Sequence, residues 1–157
     1  MAFTTDYSNI TEYADWKVQD YEIIVKDVYE TTAGTGTKGL VIESVVRNDV
    51  KQEKQNAHIW DRHWHRRDTQ KFDFASLMRI ASALGIPEGK NFNSFEDFMN
   101  EFIGKTAKVR IRLREYNGEK QPDVHYYNKT DFPQINHTWK EAVNTTSAPT
   151  QEPDLPF

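Results

Sequence analysis

Residues 105–116 read Lys-Thr-Ala-Lys-Val-Arg-Ile-Arg-Leu-Arg-Glu-Tyr, and their alternation decides the fold class. Ala107, Val109, Ile111 and Leu113 share one parity, and Lys108, Arg110, Arg112 and Arg114 share the other. Successive side chains of a strand point to opposite faces, so the pattern predicts a strand with an apolar inner side and a cationic outer side. At a rise of about 3.3 Å per residue, its outer charges stand about 7 Å apart. Asn117-Gly118 marks a tight turn after it. Residues 123–128 (Asp-Val-His-Tyr-Tyr-Asn) predict the next strand.

Toward the N-terminus the period changes. In residues 72–84, Phe74, Leu77, Met78, Ile80, Ala81 and Leu84 fall at helical spacing. Asp73 or Asp68 can cap that helix, and Gly85 with Pro87 stops it. A second short helix is expected over residues 94–102, with Ser94 as N-cap and Glu96 and Asp97 in its first turn. Before the helices, residues 21–29, 40–48 and 57–67 are β-branched or aromatic and predict three strands. The Gly/Thr stretch 31–39 joins the first two as a hairpin connection. It lacks the Gly-Lys-Ser/Thr ending of a phosphate-binding loop and precedes a strand rather than a helix.

Three strands, two helices and two strands predict a mainly β, α+β fold. The expected architecture is a five-stranded OB-fold barrel with a helical insertion between strands three and four. Residues 1–20 are expected to form an N-terminal arm or edge segment, residues 21–140 the barrel domain, and residues 141–157 a flexible acidic tail. The Thr/Pro-rich composition from Asn144 onward predicts a disordered tail.

Composition excludes several functions. The chain has 157 residues and no cysteine, so disulfide frameworks, cysteine zinc sites, thiol nucleophiles and iron–sulfur clusters are ruled out. No apolar run of about 18 residues is present to span a bilayer. Residues 1–6 carry neither the basic nor the apolar part of a signal peptide. A soluble protein of the host cytoplasm is expected, with no membrane partner. Net charge is −4, from 20 Lys and Arg against 24 Asp and Glu. The distribution matters more than the total. Residues 105–120 hold six bases and two acids, residues 47–71 seven bases and four acids, and residues 141–157 three acids and no base.

The third strand supplies the other half of a candidate surface. Trp60, Arg62, Trp64 and Arg66 share one parity, and Ile59, Asp61, His63 and His65 the other. Two Trp alternating with two Arg make a poor core, because buried Arg is rare unless paired. They make a sound platform for bases, whose stacking on aromatic rings is tolerant of sequence. Tyr126 and Tyr127 of the fifth strand add an aromatic, and alternation allows one of them on the binding face. The alternative for the Lys108–Arg114 row is a solvated face. The alternative for the Trp pair is one ring in the core and one capping the barrel end.

His58, Asp61, His63 and His65 could in principle bind metal, but all lie along one strand, whereas tetrahedral sites draw on at least two elements. No metal and no cofactor is expected. No Ser/His/Asp context, paired carboxylates or nucleotide motif supports catalysis, so a non-enzyme is expected.

The chain ends Glu152-Pro153-Asp154-Leu155-Pro156-Phe157. An apolar aromatic tip on an acidic tail suits a partner pocket with a basic rim and an apolar floor. Asp154, Leu155, Pro156 and Phe157 are similar to the acidic Asp-Asp-Ile-Pro-Phe-type tip of bacterial single-stranded DNA-binding proteins. The body resembles phage-encoded single-stranded DNA-binding proteins. These carry a Gly/Thr-rich loop, a Phe/Trp-Asp-Arg strand and a helix with a Leu…Ala-x-Gly ending. The matching residues are Gly34 to Gly39, Trp60-Asp61-Arg62, and Leu77 through Ala83-Leu84-Gly85. The resemblance spans residues 21–127 and the last four.

The resemblance implies a sequence-tolerant binder that coats single-stranded DNA in phage replication or recombination. Its tip would recruit replication and recombination proteins, and a homo-oligomer is compatible. Lys108, Arg110, Arg112, Arg114, Arg62 and Arg66 are expected to hold phosphates, and Trp60, Trp64 and one of Tyr126 and Tyr127 to stack bases. The tail, opposite in charge, is expected to compete with DNA for the basic groove. Two rival readings stand beside it, the first on the same basic face. One is a protein-interaction module, such as a recombination mediator or an inhibitor of a host DNA enzyme. The other is a metal-dependent nuclease built on His58, Asp61, His63 and His65.

Overall fold

The computed structural model of the chain describes residues 16–139, together with Thr4. Its elements run β1 (Asp20–Thr32), β2 (Lys38–Val46), β3 (His58–Trp64), α1 (Phe74–Ala83), α2 (Phe95–Phe102), β4 (Thr106–Tyr116) and β5 (Glu119–Asn128). The strands form one five-stranded sheet in the order β3-β2-β1-β4-β5. Every neighbouring pair is antiparallel. The fold is therefore mainly β, with two helices between the third and fourth strands. The expected closed barrel goes further than the ladders do: the sheet is open, with β3 and β5 as its edges.

β1 is central, and its burial explains why Ile23, Ile24 and Val25 follow one another without polar alternation, with Tyr21 and Glu22 before them also buried. A strand flanked on both sides and covered on both faces reads as a continuous apolar run. Its register shifts between Val25 and Asp27, a bulge that bends the strand. Residues 20–24 of β1 pair with β4 and the strand from Ile23 onward pairs with β2, so Ile23 and Ile24 are flanked by ladders on both sides.

Helix boundaries follow local chemistry. The Asp73 carboxylate accepts from the Ala75 backbone N–H at 3.1 Å, which selects it over Asp68 as the cap of α1. Ser94 accepts from Asp97 N–H at 3.1 Å and caps α2. The α1 terminus turns through Gly85 at φ +84°, a left-handed conformation that favours glycine. Leu77 and Ile80 of α1 and Phe98, Met99 and Phe102 of α2 fill one core with Ile23, Ile42, Ile59, Val109 and Ile111.

β1 runs on to Thr32 and β2 begins at Lys38, beyond the predicted spans, and three further boundaries differ. β3 stops at Trp64, so His65 to Arg67 leave the strand. β5 begins at Glu119 rather than Asp123 and carries Pro122 within it. Proline lacks a ladder donor and is tolerated there because β5 is an edge. β2 ends at Val46, which frees Arg47 and Asn48 for another task.

That task is to tie down residues 130–138, which have no regular structure. The Arg47 side chain is fully buried. It donates to both Asp49 carboxylate oxygens, at 2.9 and 2.7 Å, and to the carbonyls of Phe132 and Gln134 at 2.8 and 2.9 Å. Asn48 donates to the Thr138 carbonyl at 2.7 Å and accepts from its N–H at 3.0 Å. Glu22, itself buried, accepts from the Thr130 hydroxyl and from the Asp131 N–H. The Arg47 guanidinium, with the Asn136 N–H, holds the Asp49 carboxyl down at a pKa of about 2.

No described helix is long and apolar enough to cross a membrane. The predicted arm falls mostly outside the described residues, as do the predicted tail and its tip, Asp154 to Phe157. Trp16 is described, and it packs edge-on against Tyr21 with ring centroids 5.2 Å apart.

Candidate nucleic-acid interface

β3 positions the aromatic half of the candidate surface. Ile59 and Asp61 face inward and are buried, whereas Trp60 and Trp64 remain 45% and 41% exposed. Such exposure is large for the residue type with the greatest apolar surface. His58 stacks on Trp60, with centroids 5.5 Å apart and planes 22° from parallel, and its Nδ1 lies 2.8 Å from a Glu43 carboxylate oxygen.

Trp64 stands opposite Gly39 of β2. A Cβ at Gly39 would come within 2.4 Å of the indole Cε3 and 2.7 Å of Cζ3. The missing side chain lets the ring lie down on the backbone of its neighbour strand. This is the familiar pairing of an aromatic with a strand glycine, and here it leaves the opposite face of the indole open. Sequence pattern did not point to Gly39, because the contact appears once the β2–β3 register is known.

A groove of about 660 Å³ runs past these rings. Trp60, Arg62 and Trp64 line one side, and Arg114, Gln121, Pro122 and Asp123 line the other. Of the predicted nucleic-acid residues, Trp60, Arg62, Trp64 and Arg114 therefore meet in one groove. Gln121, Pro122 and Asp123 were not predicted. No local sequence pattern marks them, because it is the β4–β5 register that brings Asp123 opposite Arg112.

The cationic row of β4 sits on the outer face as expected, but it is not bare. Lys108 Nζ lies 2.8 Å from Asp131, and Arg110 Nε 3.0 Å from Asp20. Arg112 Nε lies 2.8 Å and Arg114 Nε 3.4 Å from the same Asp123 oxygen. Three acids from other elements thus pair with the four cations, Arg112 and Arg114 sharing one carboxylate, so the row keeps one positive charge in excess. The Asp131 contact, first by hydrogen bonding, raises the pKa of Lys108. Tyr126, followed by Asp20, raises that of Arg110.

Two predicted residues leave the surface. Arg66 lies beyond the end of β3, in a turn closed by Gln70 N–H to the Arg66 carbonyl at 2.7 Å, and its guanidinium pairs with Asp68 at 3.1 Å. It does not line the groove. Tyr127 turns inward. A register shift between Arg110 and Ile111 sets Tyr126 opposite Arg110, on the outer face, and Tyr127 opposite Val109, on the core side. Tyr126 is 43% exposed.

The inward Tyr127 hydroxyl donates to Asp61 Oδ2 at 2.8 Å, and His63 Nε2 lies 2.8 Å from the same oxygen. Burial, and then Asp61, push the Tyr127 phenol well above its ordinary pKa. Burial opposes the charged form of His63, but bonding to Asp61 outweighs it and leaves the pKa raised. This network joins the edges β3 and β5 by side chains where they share no ladder. The four residues of the nuclease reading do not converge. Asp61 and His63 share this inner network, His58 faces Glu43 on the other side, and His65 packs edge-on against Phe72 at 4.3 Å. Among the described residues, no three His, Asp or Glu side chains group as a metal site.

No curated protein matches the chain. A family model does match it over residues 3–147, nearly its whole length. The chain accordingly belongs to the DUF669 family, whose description is that of a protein of unknown function.

Proposed function

We propose that this chain is a non-enzymatic, sequence-tolerant single-stranded DNA-binding protein, serving phage replication or recombination in the host cytoplasm. Its sheet is an OB-type barrel, partly open between β3 and β5, a form that five-stranded OB folds adopt. The strand order and the Tyr127–Asp61 bond between the edges support that architecture.

The observation that carries the function is the pair of open indole faces, Trp60 and Trp64, flanking Arg62 in a groove whose far wall holds Arg114. Bases stack on the rings, and the arginines meet phosphate. Tyr126 with Arg110 extends the same chemistry along β5 and β4. The acidic tip, Asp154 to Phe157, recruits replication and recombination proteins.

Titration of intrinsic Trp fluorescence with oligo-dT of about 30 nucleotides tests this reading. Strong quenching by the single strand is expected, with little from duplex DNA. Affinity should fall with salt at a log–log slope of about −0.7 per phosphate neutralised. Absence of quenching and binding would overturn it. A second reading, a module that binds an acidic protein, is favoured by the carboxylates that already occupy the β4 row. Indifference to single-stranded DNA together with capture of an acidic partner would establish it instead.

A further inference from the structure

A second, larger depression lies away from the Trp60–Trp64 groove, where α1 and α2 meet the loop between them. It encloses about 1060 Å³. Phe74, Met78, Ile86, Phe92 and Phe95 give it an apolar floor among polar side chains. Phe74 and Met78 are 53% and 49% exposed, although both sit on an amphipathic helix whose other side is fully packed. Large apolar side chains left open together mark a binding surface more often than a solvated one.

The edge of the depression carries charges of both signs. Lys90 and Lys129 line it with a single acid, Glu88. Lys90 is held by Glu101 at 2.8 Å. Lys129 makes no ion pair among the described residues.

We propose that this depression receives the chain's own segment 152–157. Leu155, Pro156 and Phe157 enter the apolar floor, and Asp154 lies toward Lys129. Chemistry and reach both favour this occupant. Residues 141–157 contain three acids and no base, and the last three positions are all apolar. Residues 140–157 follow Trp139 and extend up to about 60 Å, against a width of roughly 35 Å for a domain of this size. A tethered segment needs little intrinsic affinity, because linkage gives it a millimolar effective concentration. Docking would shield the tip until a partner with a better pocket takes it. None of this rests on the DNA-binding reading, since the depression and the Trp groove share no lining residue.

Methionine-methyl NMR of the full chain tests the proposal. Met78 lines the depression, and Met99 is buried in the core. In the double variant Leu155→Ser, Phe157→Ser, the Met78 methyl signal should move by more than its line width while Met99 stays in place. Lys129→Glu should move the Met78 signal in the same direction by a smaller amount. Both shifts should be independent of protein concentration. An unmoved Met78 signal in the tip variant overturns the proposal. So does movement of the Trp60 and Trp64 indole signals in its place, which would seat the tip in the DNA groove. A concentration-dependent Met78 shift overturns it in favour of a second copy as the occupant.

Discussion

Arg47 and the β4 arginines make ion pairs of similar length in very different surroundings. Arg47 meets Asp49 at 2.7 Å with its side chain wholly buried. Arg112 meets Asp123 at 2.8 Å with its side chain 42% exposed, and Arg114 shares that carboxylate at 57% exposure. Distance alone would rank these pairs together. Burial separates them. An exposed pair is screened and contributes about 0–1 kcal/mol, so phosphate can replace its carboxylate. A buried pair cannot lose one partner without stranding the other in a medium that solvates it poorly. The same residue type is a staple at one end of β2 and an exchangeable contact on the outer face of β4.

The comparison breaks most visibly at Arg47. Arg47→Ala should cost about 3–5 kcal/mol, because it strands Asp49 and leaves the carbonyls of Phe132 and Gln134 without a donor. Urea denaturation measures this, and a loss under 1 kcal/mol would show that the strap over residues 130–138 is not held by this side chain. The effect has a pH signature. Asp49 has a folded pKa of about 2, below the ordinary 3.8. A depressed carboxylate stabilises the fold above its unfolded pKa and loses that contribution as pH falls through the folded one. Wild-type stability should therefore drop by about 2 kcal/mol between pH 4 and pH 2 on account of this group. Asp49→Asn should remove that part of the acid limb.

Next in size are the indoles. Trp60→Ala and Trp64→Ala should each weaken oligo-dT binding by about 1–3 kcal/mol, roughly 5- to 150-fold, measured by fluorescence anisotropy. Arg66→Ala should change it little, since Arg66 lies in a turn and pairs with Asp68. Equal losses from Trp64 and Arg66 would mean that the strand parity over residues 60–66, and not the observed groove, describes the binding surface. Gly39→Ala gives a finer probe. It leaves every predicted contact residue in place but pushes the Trp64 ring off the backbone, so it should weaken binding through Trp64 alone.

How much of this was legible follows from the range of the interactions. The inner and outer faces of β4 and the two helix spans are local patterns, and they stand where the spacing predicts them. The carboxylates on the outer face are not local. Asp20, Asp123 and Asp131 come from β1, β5 and the strap, so the row that reads as bare charge in sequence is paired in space, four cations to three acids. Arg47 resembles the last residue of a strand, and nothing near it in sequence shows that distant carbonyls converge on its guanidinium. Tyr126 and Tyr127 could not be told apart because their faces depend on a register shift one strand away. Trp60 and Trp64 were legible for the opposite reason: two bulky rings four residues apart in one strand share a face whatever the register.

The smallest expected effect bears most directly on what the paired row is for. Asp123 lines the groove and holds both Arg112 and Arg114. If phosphate must displace it, the carboxylate is a built-in competitor that lowers affinity. Asp123→Asn keeps the shape and removes the charge, so oligo-dT should bind several-fold tighter, with a gain under about 1.4 kcal/mol because the pairs are exposed. The gain should shrink as salt rises, since salt already screens the competing pair. Fluorescence anisotropy at two ionic strengths reads both effects. A weaker-binding Asp123→Asn would mean that Asp123 orients the arginines for phosphate rather than guarding them. The exposed pairs of β4 would then belong, like that of Arg47, to the architecture of the site.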